Sequence, residues 1–291
     1  MAVKHQIIFG DNLPCLQSMA DVSVDLVYID PPFNTGKTQR HTQLKTVQSK
    51  EGDRSGFAGR RYQTSRIATR AYADAYDDYL AFLEPRLIET HRILAATGSL
   101  YFHVDYREVH YCKLLLDGIF GRDCFLNEII WAYDYGARTT RKWPPKHDNI
   151  LVYVKDAERY LFNTDEVERI PYMAPDLVGP DKAARGKLPT DTWWHTIVPT
   201  NSAERRGYPT QKPVGILKRI VAASSPPAGL VLDFFAGSGT TGAACLALGR
   251  RFILIDDNLE ALQVMARRFA DAPDIDWVGF DPQPYGGNYQ A

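Results

Sequence analysis

Short runs rich in Val, Ile, Leu and aromatic residues recur along the chain, and the segments between them carry apolar residues at spacings of three and four. Runs of the first kind read as buried strands, at residues 6–9, 24–29, 99–104, 150–154, 229–234 and 251–255. The intervening pattern predicts helices over residues 79–96, 107–119, 213–223, 240–248 and 259–269. Alternation of this kind builds a mostly parallel sheet with helices on both faces, an α/β fold.

Two stretches break the pattern. Residues 35–75 are polar, rich in Gly, Ser, Thr and Arg, and too long for an ordinary connection between a strand and a helix, so they read as a functional loop. Residues 156–207 mix Pro, Gly and charges with Trp193 and Trp194 and read as an inserted small subdomain. With 291 residues, 45% of them hydrophobic, the chain can bury a full core. It contains no apolar run of about 18 residues and no secretory-type apolar segment near its start, which points to a cytoplasmic protein without a membrane partner. Cys15, Cys112, Cys124 and Cys245 lie far apart, and the seven histidines show no ligand spacing, so neither a disulfide framework nor a metal site is expected. A net charge of −1 argues against a uniformly basic surface, yet residues 37–70 hold nine basic and two acidic side chains, a local charge of +7 against −8 elsewhere.

The strand predicted at 24–29 runs into Asp30-Pro31-Pro32-Phe33. Ligands of open α/β sheets gather at the carboxyl ends of strands. Two prolines stiffen such a corner, remove two N–H donors and leave carbonyls as acceptors. A carboxylate and a carbonyl together suit a weakly nucleophilic amino group such as that of adenine or cytosine, because they bind its two hydrogens and favour the geometry in which its lone pair is free. Phe33 offers a flat face for a base taken out of its stack. A plain strand-ending Asp-Pro-Pro turn is the structural alternative.

A second strand runs into Asp233-Phe234-Phe235-Ala236-Gly237-Ser238-Gly239-Thr240 and then into a helix-forming stretch. Gly237 and Gly239 permit a sharp turn and close approach of a ligand, and the helix start adds oriented N–H groups. Asp256, nineteen residues beyond Gly237, closes the next apolar run, where a Rossmann-like fold places an acid on ribose hydroxyls. The third glycine of the dinucleotide fingerprint and a phosphate-binding lysine loop are both missing, which favours a ligand with ribose and no phosphate, such as S-adenosylmethionine.

In this order the motifs resemble those of the β group of amino-specific DNA methyltransferases, which modify adenine N6 or cytosine N4. Asp30-Pro31-Pro32-Phe33 is similar to that family's catalytic D-P-P-[YF] motif, and Asp233–Thr240 to its D-x-F-x-G-S-G-T cofactor loop. Gly10-Asp11-Asn12-Leu13 resembles its N-terminal segment, and Glu204-Arg205-Arg206-Gly207-Tyr208-Pro209-Thr210-Gln211-Lys212-Pro213 its Y-P-T-Q-K-P stretch, which the resemblance places along the methionine end of the cofactor pocket. The resemblance implies a Rossmann-like S-adenosylmethionine-dependent methyltransferase fold. Its cofactor would contact Asp11, Thr210, Gln211, Lys212, Pro213, Asp233, Phe235, Ala236, Gly237, Ser238, Gly239, Thr240, Asp256 and Asn258. Residues 1–155 would form the catalytic half, 156–207 the target-recognition region and 208–291 the cofactor half. Double-stranded DNA would meet Lys37, Arg40, Arg60, Arg61, Arg138, Arg141 and Lys142 through its phosphates. Asp256 stands where the family commonly has Glu, and Phe234 and Ala236 where Pro and Cys are usual. His103 and His147 read as structural.

Adenine is favoured over cytosine because the catalytic motif begins with Asp rather than Ser. Methyl transfer to RNA or to a protein amide is a more distant reading, since enzymes of that kind place the glycine loop before the catalytic turn. A non-catalytic DNA-binding module or a nicotinamide oxidoreductase on the same type of fold is a third. The resemblance also admits a homodimer and a cognate restriction endonuclease.

Overall fold

A computed structural model describes residues 5–32, 78–134, 139–199 and 201–285, and the backbone alone of 37–48, 54–55 and 61–74. The chain divides into a larger unit, residues 1–31 and 80–291, and a smaller one, residues 32–79. The described strands are β1 (His5–Phe9), β2 (Val24–Ile29), β3 (Lys37–Gln48), β4 (Arg54–Ser55), β5 (Arg61–Asp74), β6 (Leu94–Val104), β7 (Phe125–Ala132), β8 (His147–Val154), β9 (Thr192–Trp194), β10 (Leu230–Asp233), β11 (Arg251–Asp256) and β12 (Ile275–Val278). The helices are α1 (Asn12–Ser18), α2 (Tyr79–Ile93), α3 (Val109–Phe120), α4 (Pro180–Arg185), α5 (Val214–Ser224), α6 (Thr240–Leu248) and α7 (Leu259–Arg268).

The larger unit is built on one nine-stranded sheet in the order β12-β1-β11-β10-β2-β6-β8-β7-β9. The run from β12 to β6 is parallel throughout, as the alternating sequence pattern requires, whereas β8 lies antiparallel between β6 and β7. Fully buried β2 and β10 side chains, Leu26, Val27, Val231 and Leu232 among them, explain why these strands read as continuous apolar runs. The Asp25 carboxylate adds a tie between them by accepting the Leu230 N–H at 2.7 Å.

Several described elements escaped the sequence reading, short β9, β12 and α4 among them. Strand β7 carries Asn127 and Glu128 exposed in its middle, which breaks both helical and strand periodicity. Helix α1 is only seven residues long, too short to display an amphipathic period, and is started by Asp11, whose carboxylate caps the Leu13 N–H at 3.0 Å. The polar stretch 35–75, expected as a loop, instead contains the three-stranded antiparallel sheet β3-β5-β4 of the smaller unit. Its strands are rich in Thr, Gln and Arg, so no apolar face marks them in the sequence.

Residues 156–207 belong to the larger unit and have little regular structure beyond α4 and β9. Asn163 fastens the segment to the end of α5, its side-chain amide donating to the Ala222 and Ser225 carbonyls at 3.1 and 2.9 Å. Glu166 pairs with Arg250, a buried guanidinium that also donates to the Leu248 and Ser225 carbonyls at 2.7 and 3.1 Å. Farther along, Trp193 is buried in the main core beneath Arg219, while Trp194 is exposed. Among the described residues no helix is long and apolar enough to cross a membrane.

Arg250→Ala removes one half of a pair whose acid is 38% exposed, takes the guanidinium donor from the partly buried Leu248 carbonyl and leaves the Ser225 carbonyl to Asn163 alone. The expected cost is about 2–3 kcal/mol, read as a lower urea midpoint at unchanged slope.

Candidate functional site

The carboxyl ends of β2 and β10 lie side by side, because Val27 pairs with Leu232 in a parallel register. Adjacent strands are about 4.8 Å apart, so the corner that follows β2 and the glycine loop that follows β10 open on the same edge of the sheet. The two motifs, remote in sequence, thus meet. Asp30 is the last described acid of β2's corner, with Pro31 buried behind it. Phe33, Arg60 and Arg138 lie outside the described residues, as do the side chains of Lys37, Arg40 and Arg61; Pro32 opens the smaller unit.

The two oxygens of Asp30 have different surroundings. Oδ2 is held by the Lys212 ammonium in an ion pair whose side chains are 12% and 15% exposed. Oδ1 is buried and has no hydrogen-bond partner; the Nδ1 of His103 stands 3.9 Å away. An unsatisfied buried acceptor costs about 1–3 kcal/mol, which a fold tolerates where a ligand group will complete it.

Behind Asp30 runs a buried polar chain. His103 is fully buried and its Nδ1 lies 2.8 Å from the Tyr28 hydroxyl, its Nε2 3.3 Å from Asp148. Tyr133 donates to the other Asp148 oxygen at 3.1 Å. Burial pushes the Asp148 carboxyl up, but His103, Lys212 and Tyr133 outweigh it and hold it below the ordinary carboxylate range. Burial, with Asp30, Asp233 and Asp148 nearby, pushes the Tyr28 hydroxyl well above its usual value, so it remains a donor. With Asp148 facing Nε2, the tautomer that donates Nε2–H to that carboxylate leaves Nδ1 to accept from the Tyr28 hydroxyl. His103 is therefore structural in the sense that its ring is locked, and it is locked against Asp30. One signal for it existed in the sequence, a histidine inside an otherwise apolar strand. The β2–β6 register, which pairs Tyr28 with Tyr101 and Ile29 with Phe102, brings Asp30 and His103 to matching positions.

On the cofactor-loop side, Gly237 and Gly239 adopt φ of +50° and +72°. A Cβ on Gly237 would come within 3.1 Å of the Tyr208 ring, and one on Gly239 within 2.8 Å of Met265. Both positions therefore need glycine for conformation and for space. Asp233 accepts the Phe235 N–H at 3.1 Å and the Thr241 hydroxyl at 2.5 Å, which sets the loop's first turn. Its burial, reinforced by Asp30 and Asp256, raises it to about 7. Ser238 and Thr240 share a hydrogen bond of 3.0 Å, Ala236 is buried, and the half-buried Phe235 ring lies 6.1 Å from that of Phe82.

Asp256 is partly exposed, and its two oxygens accept the N–H groups of Gly237 at 2.7 Å and Asn258 at 2.9 Å. Desolvation raises it to about 6. One lone pair per oxygen remains for vicinal hydroxyls. The Asn258 side chain caps α7 by accepting the Glu260 N–H at 2.9 Å.

Other expected contacts have structural partners. Gln211 ties its own loop, accepting the Arg206 N–H and donating to the Glu204 carbonyl, both at 2.8 Å. Pro213 starts α5, Thr210 is exposed, and Lys212 reaches Asp30. Asp11 also receives Arg86, which donates to Asn12 at 2.6 Å, while Asn12 donates to the Phe234 carbonyl at 2.7 Å. This Arg86–Asn12 link, which props the cofactor loop from behind, had no signal beyond two isolated polar residues. His147 begins β8; Arg141 and Lys142 are exposed. No group of His, Cys, Asp or Glu suited to a metal occurs among the described residues, and the four cysteines are free thiols.

A carboxylate with one fixed and one free oxygen thus lies one strand away from a glycine loop tied to Asp256, at one edge of a Rossmann-like sheet. Residues 24–267 match the family model described as DNA methylase, and the chain belongs to that family. It is 33% identical over 270 residues to the DNA adenine methyltransferase YhdJ of Escherichia coli K12, an alignment covering 90% of this chain and 81% of that protein. With the type II methyltransferase M.HpaI of Haemophilus parainfluenzae it shares 29% identity over 279 residues, covering 96% and 77%. Its fold is similar to that of the M1.HpyAVI–SAM complex, with a TM-score of 0.58 at 20% identity over 91% of this chain and 98% of that one.

Gly239→Ala should cost about 2–4 kcal/mol in a urea titration, from the left-handed backbone and the Met265 clash together. The raised Asp233 carboxyl stabilises the fold fully below the unfolded value and loses that contribution as pH rises toward about 7. The stability of the wild type relative to Asp233→Asn should accordingly fall between about pH 4 and 7 in paired thermal melts.

Proposed function

We propose that this protein is an S-adenosylmethionine-dependent DNA methyltransferase that methylates the exocyclic N6 of adenine in duplex DNA, with the target base turned out of the helix. The observation that carries this reading is the Asp30 carboxylate, fixed through Oδ2 by Lys212 and open at its buried Oδ1. An amino group offers the hydrogen that this orphaned acceptor lacks. The Pro31 carbonyl is the second acceptor, and together they would draw both hydrogens aside and release the nitrogen lone pair. Asp30 Oδ1 is also placed to take the proton that the nitrogen sheds on gaining a methyl group.

The donor residues fit an adenosine with no phosphate. Asp256, oriented by Gly237 and Asn258, would hold the ribose hydroxyls, and the glycine loop would let the ligand lie close to the backbone. When bound, S-adenosylmethionine supplies the methyl group on a sulfonium, so alignment is the main task left to the protein. Lys212, expected at the methionine end of the cofactor, acts in this reading by steering Asp30. Adenine is preferred because the motif begins with Asp and the relative YhdJ is named a DNA adenine methyltransferase. The second reading is cytosine N4, which presents the same amino chemistry.

Duplex DNA would be held through phosphates by Arg138, Arg141 and Lys142 and by the +7 stretch containing Lys37, Arg40, Arg60 and Arg61. Residues 156–207 would read the target sequence. A cytoplasmic location, a homodimer and a cognate restriction endonuclease belong to the same reading; sedimentation of the purified chain tests the dimer.

Asp30→Ala should bind labelled S-adenosylmethionine as the wild type does while losing at least about 10²-fold in single-turnover methyl transfer to unmethylated genomic DNA. Retained turnover removes Asp30 from its role. Nucleoside digestion of the product should yield 6-methyladenine; 4-methylcytosine alone would replace adenine by cytosine.

A further inference from the structure

Trp143 is 94% exposed, a large aromatic side chain placed almost wholly in water on the connection between β7 and β8. A single exposed apolar residue is unremarkable on a protein surface. The setting of this one is not ordinary. Arg141 and Lys142 precede it and are exposed, so two cations and an indole are presented side by side. Pro144 and Pro145 follow, and two fixed φ angles stiffen the backbone that carries the ring, which lowers the entropy lost when it is ordered against a partner. Lys142 and Arg107 both lie 5.9 Å from the Tyr106 ring centre, so the residue before Trp143 brings its cation to a second, partly exposed aromatic.

The connection is also anchored beside the chemistry. Its two ends are joined where the Tyr133 N–H donates to the Lys146 carbonyl at 2.9 Å. Tyr133 and Asp148, which flank that joint, are bonded to each other and, through His103, stand directly behind Asp30. A polyanion whose base reaches Asp30 would therefore pass this basic, aromatic rim.

We propose that Trp143 is a DNA-contacting residue that stacks on nucleobases, while Arg141 and Lys142 hold the phosphates alongside. The inference rests on the reading of the protein as a DNA methyltransferase. Stacking and phosphate contact leave different thermodynamic marks. Base–aromatic stacking contributes to affinity without releasing counterions, whereas each lysine or arginine on a phosphate adds about one to the salt slope.

The test uses the full chain and a mixed-sequence duplex prepared from a host that lacks DNA methylation. Trp143→Ala should bind this duplex about 5- to 100-fold more weakly with an unchanged salt slope, and Trp143→Phe should recover most of the loss. Lys142→Ala should instead lower the salt slope by about one. Labelled S-adenosylmethionine should bind all three variants equally. Wild-type affinity in Trp143→Ala overturns the proposal, as does a loss that Trp143→Phe does not recover or a change in sedimentation, which would assign the ring to contact between copies of this chain. A wild-type chain that transfers no methyl group to any DNA overturns the functional reading itself, an outcome separate from these.

Discussion

Everything at the proposed catalytic edge depends on how one largely buried carboxylate is held. Asp30 is fixed through Oδ2 by Lys212, while Oδ1 is buried without a partner and has a locked histidine 3.9 Å away. A carboxylate paired at both oxygens would be stable and inert, and one free at both would rotate. The asymmetric arrangement leaves a single acceptor with a set direction. It resembles other functional sites in that an unsatisfied polar group is retained against the general rule of the interior.

The surrounding fold serves that asymmetry. Lys212 reaches Asp30 because Gln211 and Glu204 brace the loop before α5, Gln211 through the Arg206 N–H and the Glu204 carbonyl, and Glu204 through the Val214 N–H at 2.6 Å. His103 stays in place because Tyr28 and Asp148 occupy its two nitrogens. Opposite, Asp233 and the two glycines shape a loop whose backbone can approach a ligand. The parallel β2–β10 pairing then joins the proposed donor and acceptor sides at neighbouring strand ends.

Much of this was legible in the sequence. Buried parallel strands announce themselves as apolar runs, and both motifs lie at the ends of such runs, so Asp30, Gly237, Gly239 and Asp256 could be named from position and residue chemistry alone. The rest has no local signature. Tyr28, His103, Tyr133 and Asp148 sit on four strands or strand ends and meet only through sheet register. Asn12 and Arg86 connect two helices through a single buried bond. The pairing of Lys212 with Asp30 was out of reach for the same reason: its motif fixes which loop it is on, and only the packing of that loop decides which partner its ammonium meets. The antiparallel sheet at 37–74 escaped because its backbone ladder, rather than an apolar face, defines it.

The central claim is that an exocyclic amine completes the free Asp30 oxygen in front of the glycine loop. A crystal structure of the chain with cognate duplex DNA and a non-transferring analogue of S-adenosylmethionine addresses it directly. The target nitrogen is expected within about 3 Å of Asp30 Oδ1, with the analogue's ribose on Asp256. A target base bound elsewhere, with that oxygen still unpartnered, would contradict it.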